Sequence, residues 1–137
     1  MQFKFAVTLM AAGLSVAALP AIAHHSFAAE YDGSKTLTIK GKVAKVDWVN
    51  PHSWVYVEVT EADGKVTNWG CETAPPNTLY RQGWRRDSLK PGDEVTVEGF
   101  LAKDGTNTMN ARAVTLANGR RMLAGSAIEG PASEPKK

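Results

Sequence analysis

A single cysteine, Cys71, stands among 137 residues. The chain therefore forms no internal disulfide, even in an oxidising compartment, and its stability has to come from a packed core. Catalytic signatures are missing as well. The sequence has no nucleophile elbow, no phosphate-binding Walker loop, no HExxH and no CxxC. Charge of one sign is not in excess: 16 Lys+Arg stand against 14 Asp+Glu. A near-neutral balance lacks the basic footprint of a nucleic-acid binder. Long apolar runs are scarce too. The longest, Ala6 to Leu19, is shorter than the roughly 20 residues of a bilayer span.

That one run has a different reading. Lys4 precedes it, and Pro20, Ala21, Ile22 and Ala23 follow. A charged start, a short apolar centre and a small-x-small end describe a secretory signal peptide over residues 1–23, cut between Ala23 and His24. No lipid-attachment cysteine and no second apolar run come after it. The expectation is a periplasmic or secreted protein with no membrane span once the signal is removed. Lys4 is the only basic residue lost, so the mature net charge falls to +1.

Residues 24–34, "HHSFAAEYDGS", read as a polar lead-in. Strand patterns follow. "KTLTIKGKVAKVDWV" alternates through Leu37, Ile39, Val43, Val46 and Trp48, with Gly41 as a bulge or bend. Asn50-Pro51 breaks it. "SWVYVEVTEA" sets Trp54, Tyr56 and Glu58 against Val55, Val57 and Val59. Asp63-Gly64 is a hairpin turn signal, and "KVTNWGCET" returns as the third strand. After Pro75-Pro76, Asn77 or Thr78 would cap a short helix carrying Leu79 and Tyr80, stopped by Gly83. "LKPGDEVTVEGFLA" and "TMNARAVTLANG" read as the fourth and fifth strands, joined at Asp104-Gly105.

The order predicts an all-β fold: a small five-stranded OB-like barrel over residues 35–124, with a short helix between strands 3 and 4. A closed barrel hides the edges that a flat sheet would leave open. A small β-sandwich or open roll is the alternative. Residues 125–137, polar and Pro-containing, read as a disordered tail.

Several of these segments act together as a signature. "HHSFAAEYD", "NPHSW", "GWRRDSLKPGDEVTVEG" and "AKDG" resemble a family of small exported bacterial proteins known only as a domain of unknown function. The resemblance runs from His24 to about Leu123. It implies export and a small β-barrel-like domain, and it carries no activity and no catalytic residues. Cys71 is not part of the pattern. "LKPGDEVTVEG" is also similar to the fourth strand of other OB-type domains.

Chemistry has to be read from side chains. Cleavage before His24 would place an α-amine and an imidazole on one residue. Their ordinary pKa values lie near 8 and 6.5, so both yield a proton to a metal at modest cost. The amine nitrogen and Nδ1 of His24 would chelate one ion, and His52 would supply a third nitrogen. Such a nitrogen set suits copper. His25 is a further ligand or a solvated neighbour, and Glu30, Tyr31, Asp32 and Glu72 are outer groups for such a site. The structural alternative is a solvated histidine pair at the chain start and a turn histidine bonded to backbone.

A second set is aromatic. Trp48, Trp54, Tyr56 and Trp69 lie on or beside the first three strands, where an OB face stacks its ligands. Core packing is the competing use. Arg81, Arg85 and Arg86 flank Trp84 and read as an anion site or as a solvated helix end. Asp47, Glu58 and Glu72 are the carboxylates available for acid–base work, a use strand carboxylates seldom have. Cys71 reads as a small buried residue. The expectation is therefore a binding protein rather than an enzyme. Copper is the first ligand, and a small ligand or a periplasmic protein on the aromatic face is the alternative. An oxidative copper enzyme ranks third.

Overall fold

A computed structural model describes residues 27–125. The expected signal peptide, His24, His25 and most of the expected disordered tail lie outside them. The chain is mostly β. In order it forms helix α1 (Phe27–Glu30), strands β1 (Tyr31–Asp47), β2 (Trp54–Thr60) and β3 (Val66–Glu72), helix α2 (Pro76–Arg81), and strands β4 (Glu94–Ala102), β5 (Thr108–Leu116) and β6 (Arg121–Leu123). Among the described residues no helix is long and apolar enough to cross a membrane.

Six strands share one sheet in the order β3-β2-β1-β4-β5-β6, and the neighbouring pairs are antiparallel. A further, parallel pairing joins β3 to β5 at Gly70↔Thr108, Cys71↔Met109 and Glu72↔Asn110. The pairings from β3 through β5 thus return on themselves. The long β1 makes this possible. Its first part pairs with β4 and its last part with β2.

The strand count among the described residues is six, against the five expected. Asn118 Oδ1 accepts the Arg120 N–H and Gly119 turns with φ +86°, which brings Arg121–Leu123 back along β5. Three residues are too few to show an alternation, so "RML" carries no strand signal in the sequence. Met122 is nonetheless buried, and the buried Trp84 donates its indole N–H to the Leu123 carbonyl at 2.7 Å.

The predicted alternation on β2 turns one face inward. Val55 and Val57 are buried among Cys71, Leu79, Trp84, Val97, Met109 and Val114. Burying one such side chain contributes about 1.5–3 kcal/mol. Helix α2 does lie between β3 and β4, but its start differs from the expected Asn77 or Thr78 cap. Pro76 opens the helix, with no side-chain cap, because a proline's missing N–H costs nothing in a first turn. Gly83, at φ +94°, follows its end.

Two details of β1 also differ. Residues 27–34, read as a lead-in, form α1 and the start of β1. A four-residue helix does not stand alone. Phe27 holds it, stacking on Tyr31 at 5.7 Å and meeting Phe100 edge-on at 5.2 Å. Tyr31, Phe100 and Ala102 make a second, small core under it. Gly41 is no bulge, since the register slips at Val43/Lys45 instead. Glycine is needed at 41 for closeness: an added Cβ would overlap the Glu58 carbonyl oxygen and stand 2.9 Å from Val57 Cγ1.

Candidate functional site

The β1–β2 connection carries Asn50-Pro51, a cis peptide, and delivers His52 and Ser53 to the start of β2. Here the β2–β3 ladder extends past its last register pair, Trp54↔Glu72. Thr73 N–H donates to the Ser53 carbonyl at 2.8 Å, and Ser53 N–H donates to the Ala74 carbonyl at 3.3 Å. The Thr73 hydroxyl adds a bond to the Ser53 carbonyl at 3.0 Å. Ser53 and Thr73 are buried, so the turn is clamped from below.

His52 sits on this clamp. Its Nδ1 lies 3.1 Å from the Thr73 carbonyl oxygen and 3.2 Å from Oε1 of Glu72. The His52 side chain is 26 % exposed and that of Glu72 only 10 %. A carboxylate so shielded is costly without donors. Tyr31 meets part of that cost, its hydroxyl donating to the other Glu72 oxygen, Oε2. A run of contacts thus leads from the Asn50-Pro51 turn through Glu72 to the first residue of β1.

Beside this network opens a cleft of about 490 Å³, walled by Glu30, Tyr31, Trp54, Glu72, Lys103 and Thr108. Glu72 belongs to both cleft and network. Neither the cleft nor the Tyr31–Glu72–His52 connection could be read from the sequence, where Glu72 and Tyr31 stood only as nearby possibilities. The one local signal is a carboxylate directly after the buried Cys71, at the inward end of a strand.

The four aromatics do not share one face. Trp54 and Tyr56 stack at 6.3 Å on the side of β2 away from Val55 and Val57, and Lys45 Nζ lies 4.5 Å over the Tyr56 ring. Trp69 is paired with Val57 and so points toward the core, where it packs. Trp48 lies beyond the end of β1, stacked on Tyr80 at 5.6 Å and edge-on to Trp84 at 6.3 Å. Arg86 lies 6.0 Å over Trp48. Arg85 donates to the Tyr80 and Trp84 carbonyls, and Arg81 to the Thr78 hydroxyl. The two arginines are thus tied to their own segment.

The remaining carboxylates are apart. Asp47 pairs with Lys45 at 3.0 Å, and Glu58 is exposed near the other end of β2. Cys71 is fully buried, and burial pushes its thiol up to about 12. It is inert at neutral pH. Among the described residues no group of three or more His, Cys, Asp or Glu is gathered as a metal site. His24 and His25, the other expected ligands, are not among those residues.

No curated protein matches the chain. A family model described as a family of unknown function, DUF6152, matches residues 11–111. The match takes in Tyr31, the Asn50-Pro51 turn, His52 and Glu72 and runs into β5. On that coverage, the chain belongs to the DUF6152 family.

Proposed function

We propose that this is an exported periplasmic binding protein built on an OB-like barrel, and that its ligand is a copper ion. The ion is held by the amine and Nδ1 of His24 and by His52, with His25 as a further ligand. The observation that carries the reading is the contact run from His52 through Glu72 to Tyr31. Tyr31 is seven residues beyond His24 in sequence. Phe27, three residues beyond it, stacks on the Tyr31 ring. Three residues of extended chain span about 10 Å. The proposal requires His24 to fold back within that span of Phe27 and to meet the turn that presents His52. Nitrogen donors of this kind favour copper over the hard, oxygen-seeking cations. Binding and carriage of the metal, rather than catalysis, is the role.

N-terminal sequencing of the exported protein, with copper titration of wild type, His24→Ala and His52→Ala, tests this. The expected result is a chain beginning at His24, and lost affinity in both variants. A chain that begins elsewhere, or unchanged affinity in both, ends the proposal.

One observation favours a second reading. Trp54 walls a cleft large enough for a small organic ligand. In that reading the site belongs to Trp54 and Tyr56, and the histidines are structural. Metal analysis of protein purified from the periplasm separates the two: copper present in stoichiometric amount supports the first, and its absence supports the second.

A further inference from the structure

We infer that the turn after α2, with the Trp48–Tyr80 stack, is a docking surface for an acidic segment of a partner protein, a role independent of the copper site. The surface grows out of the helix end. Gly83 turns the chain away, and Trp84 N–H donates back to the Leu79 carbonyl at 3.0 Å. Trp84 is buried, while Arg85 and Arg86 stay exposed. The turn is pinned: Arg85 N–H donates to the Ser88 hydroxyl at 2.7 Å, and Ser88 N–H donates to the Arg85 carbonyl at 3.0 Å. Trp48 stacks on Tyr80 with 18° between the ring planes, and both rings are half-buried. Val49, next in the chain, is 48 % exposed.

The arginines here are ordered but not neutralised. Arg86 lies over the Trp48 ring at 6.0 Å. Arg85 reaches the Tyr80 and Trp84 carbonyls at 3.3 and 2.6 Å, both through Nη1. That leaves its Nε–Nη2 edge, a fork that grips a carboxylate with two parallel bonds. Arg81, exposed in the last turn of α2, uses Nη2 on the Thr78 hydroxyl at 3.2 Å. Among the described residues none of the three is within ion-pair distance of a carboxylate, the adjacent Asp87 included. A merely solvated helix end needs neither the ring contact nor the carbonyl contacts. These hold the guanidiniums before a partner arrives and so lower the ordering cost of binding. Three cations without a counter-charge select an anion. The composition selects a protein as its source. Trp, Tyr and Arg carry protein–protein binding energy, whereas Lys is depleted at such interfaces, and no lysine is among these residues.

The test is a titration of the exported protein with a labelled peptide of Glu and Tyr, read by fluorescence anisotropy and by NMR of the indole N–H signals. A peptide of Gln and Tyr is the uncharged control. The Glu peptide alone is expected to bind, shifting the Trp48 signal, and to release as salt screens the charges. Arg85→Gln and Arg86→Gln should each bind about fivefold or more weakly, and Arg120→Gln, the same charge lost at the β5–β6 turn, should bind as wild type does. Arg86 makes no hydrogen bond among the described residues, so its variant reports even where Arg85→Gln fails to fold. No binding of the Glu peptide, equal binding of the Gln peptide, or equal losses in Arg86→Gln and Arg120→Gln overturns the inference. So does binding to phosphatidylglycerol vesicles in place of the peptide, which makes the occupant a membrane. Concentration-dependent dimers that Arg86→Gln dissolves make it a second copy, and also overturn the inference.

Discussion

Gly41→Ala puts the closeness of β1 and β2 to a direct test. An added Cβ would lie 2.9 Å from the Glu58 carbonyl carbon and from Val57 Cγ1, and closer still to the Glu58 oxygen. Carbon contacts settle near about 3.5 Å. The two strands must therefore part by more than about 0.5 Å. Neither side yields easily. Glu58 is backbone in the Lys42↔Glu58 pair, and β1 is held behind by Gly41↔Val95. Overpacking costs about 1–3 kcal/mol, and a stretched ladder hydrogen bond about 1 kcal/mol more. Reduced freedom in the unfolded chain returns about 0.4–1 kcal/mol. The net is a loss of about 2 kcal/mol, or about 8 °C in melting temperature for a domain this size. The control is Gly33→Ala on the same strand, where the nearest atom to the new Cβ is Phe27 Cε1 at 3.6 Å, an ordinary contact. It should match wild type within about 0.5 kcal/mol, the scale of neutral substitutions. Urea unfolding followed by tryptophan fluorescence measures both. A Gly41→Ala midpoint no lower than that of Gly33→Ala refutes the reasoning.

Three further outcomes are expected. Trp84→Phe leaves the Leu123 carbonyl without its 2.7 Å indole donor and should cost about 1–3 kcal/mol, read by calorimetry with faster amide exchange in β6; an unchanged melt would show that the bond holds nothing. Cys71 should resist a disulfide reagent at pH 8 in the folded protein and react fully in denaturant, since burial pushes its thiol up to about 12; prompt labelling of native protein contradicts the buried placement. Asp104 accepts the hydroxyl and backbone N–H of Thr106, which hold its carboxyl below the ordinary value. A lowered folded value means that this stabilisation is present above the unfolded pKa of about 3.8 and is lost as pH falls through the folded one. A carboxyl-carbon NMR titration should find Thr106→Val moving the midpoint back up, and an unmoved midpoint contradicts the assignment.

What the sequence made legible was whatever period two could carry. Val55 and Val57 against Trp54 and Tyr56 were readable because neighbours on a strand point to opposite faces. The Asp63-Gly64, Asp104-Gly105 and Pro75-Pro76 punctuation was readable for the same local reason. The start of β1 was not, because "YDGSK" has no apolar alternation and is placed by partners on β4, far along the chain. Strand β6 was too short to show a period. Nearness in sequence does not give the aromatics a shared face. In fact Trp69 follows Val57 inward, and Trp48 leaves the sheet to meet Tyr80. Of the candidate site, His52 was visible as a turn residue after Asn50-Pro51. Its attachment to Glu72 and Tyr31 depends on three segments meeting, the last two 41 residues apart, and no local pattern encodes that.

The parallel seam between β3 and β5 has a consequence for whatever the protein holds. Its two edges are separated in sequence by all of α2 and β4, so zipping them pays the entropy of a long loop and rewards it only once the hairpins on either side exist. Glu72 is one of the three residues in that zip, opposite Asn110. The β2–β3 hairpin alone sets Glu72 beside His52. Tyr31 comes to Glu72 only once β1, β4 and the seam are in place, so the full His52–Glu72–Tyr31 run exists only in the completed domain. A guest that selects this arrangement has no affinity for the half-assembled chain. At one hundred times its dissociation constant it would raise the stability of the entire domain by about 2.7 kcal/mol, as one cooperative unit.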